Sequence, residues 1–187
     1  MDLKETIEER WSPRSFKDQQ ISKSTLEEIL KDAGKAPSSF NDQPWRLIVG
    51  MKGDSTYEKV ASGLNEFNAK WAAKAPVLLL TFAKKTFKKN GNPNRHAWHD
   101  LGAFVAFLSL RALEEGIYVH QMAGILPDEV HGRFDIPEDF ELVTAVAMGY
   151  LGEAADLPED LAASESPGSP RMELQEYVYA DQWGSPF

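Results

Sequence analysis

Arg10, Ser12 and Arg14 stand within the five residues Arg10-Trp11-Ser12-Pro13-Arg14, just past an amphipathic run. Two guanidinium groups and a hydroxyl at that spacing can grip the oxygens of a phosphomonoester, with the bidentate hydrogen bonds that suit arginine. Pro13 stiffens the segment and lowers the cost of ordering it. On spacing alone the same residues also read as a solvated patch facing Glu8, Glu9 or Asp18, because exposed ion pairs contribute little. A second polar stretch, Pro37-Ser38-Ser39-Phe40-Asn41-Asp42-Gln43-Pro44-Trp45, follows two dozen residues later. It is crowded with side-chain and backbone donors, and read by itself it is a turn closed by Asx-type hydrogen bonds.

The rest of the chain narrows the chemistry. It has 187 residues, 42% hydrophobic and 26% charged, as expected of one ordinary globular domain. There is no cysteine. Disulfides, thiolate metal sites, iron–sulfur clusters and cysteine nucleophiles are therefore excluded, and any redox chemistry must come from a bound cofactor. A net charge of −9 repels nucleic acid and anionic membrane, and makes local arginine clusters more informative because they run against the background. No apolar run of about 18 residues or more is present to span a bilayer. The charged start Met1 to Arg10 lacks the apolar centre of a signal peptide, so a cytoplasmic location is the expectation.

These residues must be held by elements that the apolar periodicity outlines. Residues 3–10 read as a helix with Leu3 and Ile7 on one side, ended by Ser12-Pro13. Ser24 and Glu27 suggest a capping box opening a helix with Leu26, Ile29, Leu30 and Ala33 inward. Residues 47–50 read as a short strand. Residues 55–74 read as one helix burying Tyr57, Val60, Ala61, Leu64, Phe67 and Trp71. Residues 76–83 form a continuous apolar run, expected to be a strand covered on both faces. Residues 96–115 make the longest helix, apolar nearly all round (Leu101, Phe104, Val105, Phe107, Leu108, Leu110, Leu113), which suggests burial at a subunit interface. A strand at 117–122, a short helix from Pro127 and a strand at 142–150 follow. Residues 153–170 read as irregular, with the acidic run from Glu153 to Glu165 a solvated connection. Lys84, Lys85, Lys88 and Lys89 read as a solvated loop. Alternating strands and helices give an α/β or α+β class.

No G-x-G-x-x-G or P-loop turn follows any strand, against a Rossmann domain or a nucleotide triphosphatase. His96 and His99, with Asp100, have ligand-like spacing. They lack a fourth ligand, and a hydrogen-bond network at the helix entry is the simpler reading.

Taken in order, the two polar stretches, Asn68-Ala-Lys-Trp71, His99-Asp-Leu-Gly102, Glu115 to Gly124, Gly149-Tyr-Leu-Gly-Glu153 and Pro170-Arg171 resemble the nitroreductase family of FMN flavoproteins over roughly residues 6–185. The resemblance implies an α+β, three-layer α/β/α fold, with a mixed, mainly antiparallel central sheet flanked by helices. It implies one FMN-binding domain over residues 1–187, in an intertwined homodimer whose C-terminal tail, about 171–187, packs on the partner. Two FMN molecules would sit at the shared interface. Arg10, Ser12 and Arg14 would hold the phosphate and the pyrimidine edge, and Arg171 would add a late phosphate contact. Pro37, Ser38, Ser39 and Asn41 would approach the flavin of the other subunit, with Gln43 nearby. Asn68 would hydrogen-bond the ring or ribityl chain. Gln121, Met122, Ala123 and Gly124 would lie along the isoalloxazine. Trp11 stands where a basic residue or histidine is frequent and would offer a packing surface, while Phe40 would narrow the substrate face. His120 is open between a place at the flavin edge and a buried, hydrogen-bonded role. Trp183 would pack against the partner.

The implied activity is transfer of hydride from NAD(P)H, through FMN, to a small acceptor such as a nitroaromatic or quinone, in a ping-pong scheme with no side-chain nucleophile. The same fold could instead serve reductive dehalogenation or dehydrogenation, or a protein that stores or senses FMN without turnover.

Overall fold

The computed structural model describes residues 2–187. Four strands, β1 (Trp45–Met51), β2 (Val77–Lys84), β3 (Ile117–Met122) and β4 (Phe140–Tyr150), form one sheet in the order β1-β2-β4-β3. Its three ladders are all antiparallel. The mainly antiparallel sheet expected is therefore present, and these four strands themselves supply no parallel pair. A bulge falls between Thr81 and Phe82, where β4 carries one residue more than β2. Thr81 and Thr144 exchange a hydroxyl hydrogen bond of 2.8 Å there.

Side-chain alternation in β2 explains its unbroken apolar run. Val77 and Leu79 enter the core on one face of the sheet, shared with α2 (Lys23–Ala33) and α5 (Ala97–Glu114). Leu78, Leu80 and Phe82 enter the core on the other face, shared with α3 (Ser55–Ala61), α4 (Glu66–Ala72) and α6 (Pro127–Arg133). Helices thus cover both faces, and the three layers follow from the period of two in a strand buried on both sides. Gly50 permits close contact on β1: a Cβ there would run into the backbone of Tyr57 in α3.

Several expectations need correction. Residues 55–74 are two helices, broken at residues 62–65. The break is tied down from outside: Leu126 N–H donates to Gly63 O (2.8 Å) and Asn65 N–H to Gly124 O (3.1 Å). Asn65 then caps α4 by accepting from Asn68 N (2.9 Å). The new helical phase buries Asn68, Trp71 and Ala72 and leaves Phe67 exposed. In α1 (Leu3–Glu9) the inward residue is Thr6, while Leu3 and Ile7 face outward; a stripe at helical spacing does not say what it meets. The cap of α2 is Ser22, whose hydroxyl accepts from Thr25 N at 3.0 Å, and Ser24 only bonds to that hydroxyl. Helix α5 buries Leu101, Phe104, Val105, Leu108 and Leu113, but Trp98 and Phe107 are 53% and 43% exposed, so its apolar character extends beyond what this chain covers.

Tyr57 ties α3 to the start of β2. Its hydroxyl lies 2.9 Å from Ala73 O and 2.7 Å from Ala75 O, and burial pushes the phenol up to about 12. Replacing Tyr57 with Phe leaves those carbonyls short of a donor. Thermal unfolding should show a loss of about 1–2 kcal/mol, a drop in Tm of a few degrees.

Candidate functional site

A pocket of about 380 Å³ is lined by Arg10, Trp11, Ser12, Arg14, His120, Arg171 and the serine-rich segment 164–169. The fold thus brings together the early arginine cluster and an arginine more than 150 residues later. Three arginines and the serines Ser12, Ser164, Ser166 and Ser169 line this space. Arg14 Nε is buried and has no hydrogen-bond partner among the described residues. A donor left unmatched in a cationic pocket is a place for an anion to accept.

Backbone pairing holds the Arg10–Arg14 loop in place. Gly152 N–H donates to Ser15 O (3.0 Å) and Lys17 N–H to Tyr150 O (2.9 Å), so residues 15–17 lie against the chain leaving β4. Gly152 is required at this approach, because a Cβ would meet Ser15 and Phe16. Ser15 Oγ adds a bond of 2.6 Å to Glu153 O. From β3, His120 Nδ1 donates to Pro13 O at 2.9 Å, which assigns the hydrogen to Nδ1 in the neutral ring. The imidazole lies 4.5 Å from the Trp71 ring, centroid to centroid, and Trp71 stacks in turn on Phe16. His120 is therefore hydrogen-bonded and half-buried, and it also lines the pocket. Trp11 packs edge-on against Tyr118 at 6.4 Å, the packing surface expected of it.

Glu165 overturns the reading of the acidic run as wholly solvated. Its side chain is only 4% exposed. Oε1 accepts from Arg14 N (2.6 Å) and Ser15 N (2.9 Å), and Oε2 lies 3.8 Å from an Arg14 guanidinium nitrogen. Those partners offset the cost of burying the carboxylate. Two short helical pieces, 154–156 and α7 (Glu159–Ala162), interrupt the segment read as irregular. Lys84 likewise leaves the solvated set: it pairs with Asp139 at 2.6 Å and bonds Thr86.

At the far end of β3, Asn68 Nδ2 donates to Gly124 O (3.0 Å). A Cβ on Gly124 would collide with the Asn65 and Asn68 amides. One amide hydrogen of Asn68 thus serves its own fold, which leaves the second hydrogen and the carbonyl oxygen for a ligand. The Met122 side chain is core, so only its backbone is available; Gln121 and Ala123 are exposed.

The loop Pro37–Gln43 takes no part in the arginine pocket. Pro37, Ser38 and Ser39 line a separate hollow with His96, His99 and Asp100. Phe40, Asn41 and Gln43 all hold φ between 50° and 54°, a left-handed run that non-glycine residues adopt only under constraint. The constraints are visible. Buried Asp100 accepts from Ser39 N (2.9 Å), Ser38 Oγ from Gln43 N (3.0 Å), and buried Asp42 from Lys88 N (2.9 Å). Phe40 is 93% exposed and meets Phe87 edge-on at 5.8 Å. His99 Nδ1 lies 3.2 Å from Asp100 Oδ1, the helix-entry contact expected.

A larger groove of about 500 Å³ runs beside β1, over Ile48, Phe82, Phe134 and Phe140. Its two arginines are occupied, Arg46 with the Gln43 and Trp45 carbonyls and Arg133 with Glu129, so it offers no comparable anion site.

Burial, with the Arg14 charge adding to it, pushes the His120 imidazole below its ordinary value of 6.5, although the Pro13 contact opposes this. In the unfolded chain the ring gains a proton below pH about 6.5, while the folded ring stays neutral to lower pH. The unfolded state then binds more protons, so stability falls as pH drops from 6.5 toward the folded value. His120→Gln, which keeps a donor for Pro13 O and has no such titration, should flatten that acid limb of a Tm-against-pH curve.

Comparison with known proteins agrees with this architecture. The Nitroreductase family model matches residues 7–150. An uncharacterized 15.4 kDa protein of Mycolicibacterium smegmatis is 30% identical over 149 residues, 75% of this chain and 99% of that protein. An NADH dehydrogenase of Thermus thermophilus is 24% identical over 184 residues, 82% of this chain and 88% of its own. Among solved structures, an oxidoreductase containing FMN superposes with a TM-score of 0.91 at 34% identity, covering 99% of this chain and 93% of that one. A nitroreductase family protein of Clostridium difficile superposes at 0.74 with 26% identity, covering 97% and 99%. With the family match running from α1 to the end of β4 and a near-complete superposition behind it, the chain belongs to the nitroreductase family.

Proposed function

We propose that the arginine pocket takes the phosphate of FMN and that the protein is an NAD(P)H-dependent FMN oxidoreductase acting on a small electron acceptor such as a nitroaromatic or quinone. One observation carries this reading. In a chain of net charge −9, Arg10, Arg14 and Arg171 converge with Ser12 on one small pocket, and Arg14 Nε is buried there without a partner. The donor set fits a phosphomonoester dianion, which accepts bidentate bonds from arginine and single bonds from serine. The 34% identical solved oxidoreductase contains FMN, and a 24% identical relative is an NADH dehydrogenase, which supports both the cofactor and the donor.

In this reading Arg10, Ser12, Arg14 and Arg171 hold the phosphate, and Trp11 backs the loop against Tyr118. Asn68 hydrogen-bonds the ring or ribityl chain. The backbone from Gln121 through Met122 and Ala123 to Gly124 lies along the isoalloxazine. Bound FMN would accept hydride from NAD(P)H and deliver it to the acceptor, so the chain needs no nucleophile of its own. Donor and acceptor use one open face in turn, a ping-pong order. Backbone N–H groups at the end of β3 and the nearby arginines favour negative charge on the reduced cofactor.

The protein acts as a homodimer in this reading. The outward Trp98 and Phe107 of α5, and Trp183 and Phe187 of the tail at 91% and 87% exposure, form apolar surface that a second copy would cover. The loop of Pro37, Ser38, Ser39, Phe40, Asn41 and Gln43, remote from its own chain's arginine pocket, then serves the flavin of the other protomer. Phe40 narrows the acceptor face.

The purified protein should be yellow, bleach when NADH or NADPH is added without oxygen, and recover its colour when a quinone follows. A protein that takes up no FMN refutes the cofactor; one that binds FMN but stays oxidised is a storage or sensing protein. Replacing Arg10 and Arg14 together by Ala should weaken FMN binding by about a hundredfold or more, from two lost charge-assisted contacts of about 1.5–3 kcal/mol each. Unchanged flavin content in that variant would remove the phosphate assignment.

A further inference from the structure

We propose that Glu165 is a positioning residue of the arginine pocket: it pins the segment carrying Arg171 onto the Arg10–Arg14 loop, so that guanidinium groups from both ends of the chain meet on one phosphate. The proposal rests on the reading of the pocket as the FMN phosphate site.

The contact joins residues 150 and 151 apart in sequence. A single carboxylate oxygen, Glu165 Oε1, accepts both the Arg14 and Ser15 backbone N–H groups. Among the described residues nothing else takes those two donors. Without Glu165 they would lie part-buried and unpaired, a costly state for a backbone amide. The rest of the segment, Ser166-Pro167-Gly168-Ser169-Pro170-Arg171, is exposed and has few bonds of its own. Gly168 N reaches Ser166 Oγ at 3.4 Å, and the Arg171 guanidinium reaches only the carbonyls of Ser169 and Pro170, also at 3.4 Å. Glu165 is thus the buried point from which the exposed strap with Arg171 departs.

The geometry also shows why the pin does not spoil the site. A bidentate pair with Glu165 would consume the donors of Arg14. Instead the guanidinium stands 3.8 Å from Oε2, near enough for attraction and too far for a hydrogen bond. Both Oε2 and Arg14 Nε remain buried without partners. Glu165 therefore orients Arg14 while leaving its donors to the pocket. Three guanidinium groups against one carboxylate leave two positive charges, matching a phosphomonoester dianion of about −1.5 to −2.

Riboflavin is FMN without the phosphate, so the ratio of their dissociation constants isolates the pocket. The flavin-free protein is titrated with each by fluorescence quenching, as parent, Glu165→Ala, Glu165→Asp and Glu165→Gln. Glu165→Ala should weaken FMN by about tenfold or more, the loss of one charge-assisted contact, and riboflavin by less than about twofold. Glu165→Gln keeps an oxygen for both N–H groups and should hold the ratio within about threefold of the parent. Glu165→Asp, one methylene short, should fall between, and gives an answer even if the Ala variant fails to fold. Hydrogen exchange at the Arg14 and Ser15 amides of the flavin-free protein should quicken in the Asp and Ala variants. An FMN-to-riboflavin ratio in the Asp and Ala variants within twofold of the parent, or equal loss of both ligands, overturns the proposal. If the parent itself shows no preference for FMN over riboflavin, the phosphate reading fails instead.

Discussion

Like charges have to be forced together, and the site of this protein depends on how that is done. Arg10, Arg14 and Arg171 repel one another, and none of them supplies the force that gathers them. The force comes from groups one step behind. Residues 15–17 pair with the chain beyond β4, His120 holds the Pro13 carbonyl, and Glu165 holds two amides. Each of these bonds is ordinary, yet all converge on a stretch of five residues. Cationic convergence is thus built on the sheet: β3 supplies His120 and the end of β4 supplies the pairing edge.

The same arrangement fixes the pocket relative to the end of β3. His120 lines the pocket and Gln121 to Gly124 follow it along the strand. Trp71, which packs at a tilt against His120, lies on the helix that carries Asn68. Apolar packing of Phe16, Trp71 and the imidazole therefore sets the distance between the arginine pocket and the strip at the end of β3. The family match and the superposition at 34% identity give that arrangement its context.

Much of this was legible in the sequence where the signal is local. Arg10-Trp11-Ser12-Pro13-Arg14 carries its chemistry within one turn of chain, and β2 announces double-sided burial by its composition. The order of strands and helices sufficed for the layered α+β class. What escaped was set by partners far away in sequence. The run from 55 to 74 keeps its helical period through Leu64 and Trp71, and only hydrogen bonds from residues 124 and 126 reveal the break. Ser22 and Ser24 both lie within reach of a helix start, and local spacing does not choose between them. Glu165 sits in an acidic, Ser- and Pro-rich tract whose composition is that of a linker. Its use depends on amides 150 residues upstream, which no periodicity records. Outward Leu3 and Ile7 show the converse: a stripe was readable, its counterpart was not.

The left-handed run at Phe40, Asn41 and Gln43 has a consequence for how any ligand is met there. Such a backbone is a minority conformation for an isolated peptide of this composition. Here Asp100, Ser38 and Asp42 impose it before anything binds. The loop resembles a set spring more than a flexible flap: its shape is decided in advance, little conformational freedom remains to be lost on contact, and the bare Phe40 ring is displayed as a fixed surface. Whatever meets such a surface must match it as it stands, because the loop is already held in one shape.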